Sequence, residues 1–295
     1  MNSDLQSPAD EGDESFELLK LLGSGGFAHT YLVKVLDEEL VREFGSSEVA
    51  LKIPLNKQKA RALRRELEIH PDLHMRLKNV QSKNIVCYLG FSLFRGFPVM
   101  VSEYVPQSNL RKVIGNIGSQ KRLPVNEAVR ITSEILDGLT AIHESGFIHG
   151  DIKPDNILMD GQTPMVSDFA NSRLFASLEQ PPLIGWRCYV SPEVISEETI
   201  SFPSDIWSMG VMLYEMTTGM LPFGNKDTPI AKMVNLIQNG DHISACEVCR
   251  DVPRELSKVI DLALEKEVSK RFASAREMHE ALSHIYPVLS LTVVS

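Results

Sequence analysis

The stretch His149–Arg173 reads HGDIKPDNILMDGQTPMVSDFANSR. It sets Asp151, Lys153 and Asn156 on one polar loop, follows them with apolar runs, and reaches Asp168 on the next loop. Phosphoryl transfer needs little covalent help from a protein. It needs a carboxylate near the attacking hydroxyl, a cation near the moving phosphate, and oxygen ligands for Mg2+. These four residues supply that set, and carboxylate and amide oxygens suit a hard cation that keeps part of its water shell. A polar turn ahead of a buried strand would not require all four types at this spacing.

Toward the N-terminus, FELLKLLG from Phe16, TYLVKVL from Thr30 and EVALKIP from Glu48 are apolar and β-branched runs bounded by glycine, serine and charge, and read as strands. LDEELVREFGSS, between the second and third, is a polar loop with room for a helical turn. KQKARALRRELEI, apolar at Ala60, Leu63, Leu67 and Ile69, reads as a helix that Pro71 ends or bends. NIVCYLGFSL and FPVMVSEYV complete five strands around one helix.

Beyond Pro106 the pattern turns helical. NEAVRITSEILDGLTAIHESG carries Val129, Ile131, Ile135, Leu139 and Ile142 near the helical period. SDIWSMGVMLYEMTTG is apolar nearly all round and reads as a buried central helix, while RELSKVIDLALEKE and SAREMHEALSHI are amphipathic. The expected class is α+β. A small lobe over residues 15–105 holds a five-stranded antiparallel sheet and one helix, a larger, mainly helical lobe covers 106–287, and a crevice between lobes is a usual place for a ligand. Residues 1–14, polar, acidic and without periodicity, read as a disordered tail, and 288–295 as a C-terminal tail.

At 295 residues, 43% hydrophobic and 23% charged, the composition is that of an ordinary soluble globular chain. A formal net charge of −9 argues against a nucleic-acid partner. No apolar run approaches the roughly 20 residues that cross a bilayer. The acidic N-terminus is unlike a secretory leader, so a cytoplasmic address and no membrane partner are expected. A monomer is expected, with an oligomer of unknown order left open. The four cysteines fit a reducing compartment. Cys246 and Cys249 form one CEVC with His242 upstream, but no second ligand pair completes a metal site, and they read as loop cysteines.

LGSGGFAHTYLV puts Gly23, Gly25 and Gly26 in a turn between two strands, where backbone N–H groups can approach phosphate oxygens with no Cβ in the way. Glycine-rich hairpins also occur for purely structural reasons. VALK sets Lys52 alone in an apolar strand. It either faces water at an edge or points into the crevice with Glu66 of the next helix as counter-ion.

Together these segments resemble the eukaryotic-type protein kinase family, from about Phe16 to about Tyr286. GSGGFA resembles its glycine-rich loop, VALK its nucleotide-lysine strand and RELEI the helix bearing the partner glutamate, placed at Glu66 with Glu68 as rival. HGDIKPDN resembles the catalytic loop, DFA the magnesium motif, and SPE (Ser191–Glu193) the end of the activation segment. DIWSMG resembles the central-helix motif whose Asp205 braces the catalytic loop, and Arg271 the arginine that pairs with Glu193. The resemblance implies ATP and Mg2+ as cofactors and a protein as substrate. Asp151 then orients the acceptor hydroxyl and takes its proton, Lys153 neutralises the γ-phosphate, and Asn156 and Asp168 hold the metal. Lys52 binds the α/β-phosphates, Glu103 and Val105 offer main-chain groups to adenine, and Ala50 and Leu158 join the nucleotide set. Lys153 also favours Ser/Thr over Tyr as acceptor.

Several positions depart from the family pattern. Gly150 stands where an arginine grips an activation-loop phosphate, which points to activity without phosphorylation of that segment. Ala170 replaces the glycine of DFG, Thr30 a valine over adenine, and Trp186 a threonine near the catalytic loop. Ser102 is a small residue just before the hinge and implies a back pocket. Two other readings stay open on this sequence. One is a nucleotide-binding scaffold without transfer. The other is a small-molecule kinase of the aminoglycoside and choline type, whose catalytic loop HGD-x-x-P-x-N also resembles.

Overall fold

The computed structural model describes residues 15–69, 78–106, 108–115, 121–168, 187–197, 200–225 and 227–285. The expectations for both tails and for Ala170 and Trp186 lie outside the described residues.

Alternation along the first half builds a sheet. Strands β1 (Phe16–Ser24), β2 (Ala28–Val35), β3 (Glu48–Pro54), β4 (Tyr88–Phe94) and β5 (Phe97–Glu103) lie in the order β1-β2-β3-β5-β4. Every pairing is antiparallel. Successive strand side chains point to opposite faces. Val33 and Val35, Val49, Leu51 and Ile53, and Val99 and Val101 therefore share one face, where they join Phe16, Phe44 and Phe94 in a buried core. The segment that reads as a polar loop with room for a helical turn folds into helix α1 (Glu38–Phe44), and its Leu40, Val41 and Phe44 close this face. Asp37 starts the helix by accepting the N–H groups of Glu39 and Leu40 at 2.7 and 3.2 Å. The sheet thus carries α1 as well as the expected α2 (Lys57–Ile69), which lies beside β3 and β5 with Ala60 and Leu63 buried. The other face presents Ala50 opposite Ser102 and Lys52 opposite Met100.

NIVCYLGFSL reads as one strand, yet it pairs with β5 only from Tyr88 onward. Its first residues go elsewhere. Asn84 O accepts the N–H of Val166 at 2.8 Å, Ile85 bridges Val166 in parallel, and the fully buried Asn84 donates Nδ2 to Pro164 O at 2.9 Å. Buried backbone groups need partners, and here the second half of the chain supplies them. The chain accordingly divides into two compact units. One runs to Gln81 and resumes over Val86–Pro106; the other holds Ser82–Ile85 and what is described beyond Pro106.

The second unit contains α3 (Leu110–Ile114), α4 (Val125–Glu144), a hairpin of β6 (Ile157–Asp160) and β7 (Thr163–Val166), α5 (Pro192–Glu197) and α6 (Phe202–Thr218). α7 (Ile230–Asn239), α8 (Ala245–Val248), α9 (Arg254–Ala263) and α10 (Ala275–Ser283) follow. α6, apolar nearly all round, is buried from Ser204 to Thr218, as that composition demands. α4 and α9 lie against it, and α10 against α4. Among the described residues no helix is long and apolar enough to cross a membrane.

Candidate active site

The register of one hairpin assembles the acidic loops. Ile157 pairs with Val166, so the residues just outside the pair, Asn156 and Ser167, face each other. Asn156 O accepts both the N–H and the hydroxyl of Ser167 at 2.9 Å. Asn156 and Asp168 are thereby held side by side although they are distant in sequence. Leu158 sits half-buried within β6 and bridges Asn109.

Asp151 is the centre of a hydrogen-bonded cluster. Its carboxylate accepts from Lys153 Nζ at 2.7 and 2.8 Å and from Asn156 Nδ2 at 2.8 Å. Asn156 Nδ2 also donates to Asp151 O at 2.8 Å. With the amide nitrogen committed to Asp151, Oδ1 is the atom Asn156 presents on its other side. Asp168 adopts φ 68°, a left-handed backbone that a non-glycine residue holds only when its surroundings enforce it.

The loop carrying Asp151 is tied down from α6. Asp205, fully buried near the start of that helix, accepts the N–H groups of His149 and Gly150 at 2.8 and 2.7 Å and the ring of His143 at 2.8 Å. Gly150 has φ 73°, and this turn aims two consecutive N–H groups at one carboxylate. His149, also fully buried, reaches the other loop: Nε2 lies 2.8 Å from Ser167 O, and Asp151 N–H donates to Nδ1 at 3.2 Å. A carbonyl needs a donor and an N–H needs an acceptor, so His149 is the neutral Nε2–H tautomer.

Buried charges steady the same loop. Arg111 on α3 donates Nε to Asp155 at 3.4 Å and Nη1 to Glu215 at 2.7 Å, and Nη2 to the Tyr189 hydroxyl, which in turn donates to Glu215. Burial first, then the Glu215 charge, pushes the Tyr189 phenol far above its ordinary pKa, so it stays a donor. Burial opposes the charge on Arg111, but its bonds to Glu215 hold its pKa above the ordinary value. Farther along, Arg271 grips Glu193 through Nη1 and Nη2 at 2.9 and 3.1 Å. Burial works to raise the Glu193 pKa, yet Arg271 holds it below the carboxylate range.

The remaining expected residues lie in the sheet unit. Gly23 pairs with Thr30 where β1 meets β2, Gly25 N–H closes the turn on Ala28 O at 2.9 Å, and Gly26 O accepts from Lys59. Ala50, Lys52 and Ser102 share the sheet face away from α1. Glu103 N–H donates to Cys87 O at 3.0 Å while its carboxylate accepts Cys87 N–H at 2.6 Å, and Val105 is buried. Glu66 falls on α2, with its side chain outside the described part of the structure. Sequence reading misses Ser167, His143 and Arg111. No local motif marks them, because each acts through a partner that only the fold brings near.

Comparison with known proteins identifies a family. Residues 16–286 match the family described as the protein kinase domain. A probable serine/threonine-protein kinase pknA2 of Bifidobacterium longum is 29% identical over 96% of this chain and 37% of its own length. Serine/threonine-protein kinase PknB of Mycobacterium leprae is 27% identical over 92% of this chain and 43% of its own. Mitogen-activated protein kinase kinase kinase A of Dictyostelium discoideum is 28% identical over 81% of this chain and 24% of its own. The chain belongs to the protein kinase domain family, and it spans less than half the length of these curated relatives.

Proposed function

We propose that this chain is the catalytic domain of a serine/threonine-protein kinase, moving the terminal phosphoryl group of ATP to a hydroxyl of a protein substrate. The Asp151–Lys153–Asn156 cluster, joined through Ser167 to Asp168, is the observation that carries this reading. Asp151 orients the acceptor hydroxyl and takes its proton as the new O–P bond forms and the bond to ADP breaks. Lys153, hydrogen-bonded to that same carboxylate, brings its cation to where phosphate charge accumulates. Gly23, Gly25 and Gly26 cover the nucleotide phosphates and Lys52 binds them, with Glu66 as its counter-ion. Ala50, Glu103, Val105 and Leu158 form the adenine side.

The oxygen donors fit magnesium: Asn156 presents Oδ1 because its nitrogen is committed, and Asp168 adds a carboxylate. When bound, the ion supplies neutralisation of phosphate charge. The domain is read as a sheet lobe over 15–105 and a helical lobe over 106–287. Because Gly150 offers no guanidinium to a phosphorylated activation segment, turnover is proposed to be independent of that modification.

Labelled ATP, Mg2+ and generic protein substrates test the reading. Wild-type protein should label them, and Asp151→Asn should lose about 10²–10⁴-fold of the rate while still binding nucleotide. Equal labelling by both proteins would remove Asp151 from the mechanism, and nucleotide binding without any transfer would make this a scaffold.

A further inference from the structure

CEVC plays no part in phosphoryl transfer, yet the fold changes its meaning. α8 (Ala245–Val248) turns the two cysteines into neighbours, because Cys249 N–H donates to Ala245 O at 2.9 Å, the bond of an α-helical turn. Cα atoms three residues apart on such a turn stand roughly 5 Å apart. That lies inside the roughly 4.4–6.8 Å span of a disulfide. Neither cysteine is in a disulfide; Cys246 is partly exposed and Cys249 is 8% exposed.

A cation sits on one of them. Arg122, just ahead of α4, donates Nη1 to Cys249 Sγ and pairs Nη2 with Asp251 at 2.8 Å. A guanidinium beside the sulfur offers a donor to the negative charge that develops on it as it attacks an oxidant. The pair is not half of a zinc site. Among the described residues no group of three or more His, Cys, Asp or Glu side chains could hold a metal, and His242 is bonded to Asp261 at 2.9 Å instead.

We propose that Cys246 and Cys249 are a redox-active dithiol, closed to a disulfide by small hydroperoxides, with Arg122 keeping Cys249 as the attacking sulfur. The Cys249 thiolate attacks one peroxide oxygen, an S–O bond forms, the O–O bond breaks, and the departing oxygen leaves as water after protonation. Cys246 sulfur then attacks Cys249 sulfur and expels the bound oxygen as a second water. The two thiols lose two electrons and two protons, and hydrogen peroxide is reduced to two waters.

Peptide mapping of the full-length reduced protein after a pulse of hydrogen peroxide tests this. The 246–249 peptide should lose two hydrogen masses, and dithiothreitol should restore them. Arg122→Gln should close about tenfold more slowly, one charge-assisted contact to the attacking sulfur being lost, and Arg122→Lys should recover part of the rate. Unfolding of a variant would expose the thiols and speed closure, so a slower rate reports on Arg122 itself. Cys246→Ser should leave a sulfenic acid on Cys249 that dimedone traps. Cys87 is the slow internal reference, because burial and then the Glu103 carboxylate push its thiol pKa up. Oxidation that begins at Cys87, absence of the linked peptide, or equal closure rates in all three Arg122 forms would overturn the proposal.

Discussion

A backbone angle distinguishes Gly150 from the arginine that its surroundings in HGD lead one to expect. At φ 73° any side chain meets the left-handed penalty, and this residue must hold that turn for Asp205 to receive two adjacent N–H groups. Glycine relieves the strain and gives up the guanidinium in the same substitution. Gly150→Ala should therefore cost about 1 kcal/mol in urea unfolding, although it removes no side-chain interaction. Phosphatase-treated protein should keep its turnover; a rate that collapses on dephosphorylation between Asp168 and Glu193 would contradict the independence proposed for this loop. Asp151, Lys153, Asn156 and Asp168 were legible as a set because their chemistry is rare in combination. His149 was legible only as a letter in a motif. Its tautomer, fixed by Ser167 O and Asp151 N–H, depends on neighbours that no spacing encodes.

At the scale of elements, periodicity found α4, α6, α9 and α10 because each buries a stripe or a whole surface. It misassigned Asn84–Ile85 because an apolar alternating run looks the same whichever strand it joins. Where it joins β7, that run also packs closely on α4: a Cβ placed on Gly138 would stand 2.6 Å from Asn84 O. Gly138→Ala should force the Asn84 backbone away, costing about 1–3 kcal/mol and exposing the Val166 amide to faster hydrogen exchange. The Glu193–Arg271 clasp joins α5 to the segment before α10. Removing one partner of such a buried pair costs roughly 3–5 kcal/mol, so Arg271→Ala should unfold at much lower denaturant than wild type. Glu193 is held below its ordinary pKa, so its contribution is complete above about pH 4.5 and drains away as pH falls through the lower folded value. Glu193→Gln should accordingly be less stable at neutral pH and lose less further stability on acidification, which a series of melts between neutral and acid pH would read.

For the whole molecule, the chain divides into two compact units near Pro106, with Ser82–Ile85 belonging to the second. That exchange was invisible in sequence because it rests on β7 pairing, a long-range choice. Stability of the entire chain also offers a test of the proposed metal donors that needs no turnover. A ligand that binds only the folded state stabilises it by about 2.7 kcal/mol at a hundred times its dissociation constant. In a chain of this size each kcal/mol moves the melting temperature by roughly 2 °C. ATP with Mg2+ should thus raise the melting temperature by about 5 °C, and chelating the metal should remove most of the gain. Asp151→Asn should keep the shift, since the role proposed for that carboxylate is toward the acceptor. Asp168→Asn, melting normally without nucleotide, should lose the magnesium-dependent part. An equal rise in Asp168→Asn and wild type would place the ion on other ligands, and a rise indifferent to chelation would mean that nucleotide binds without it.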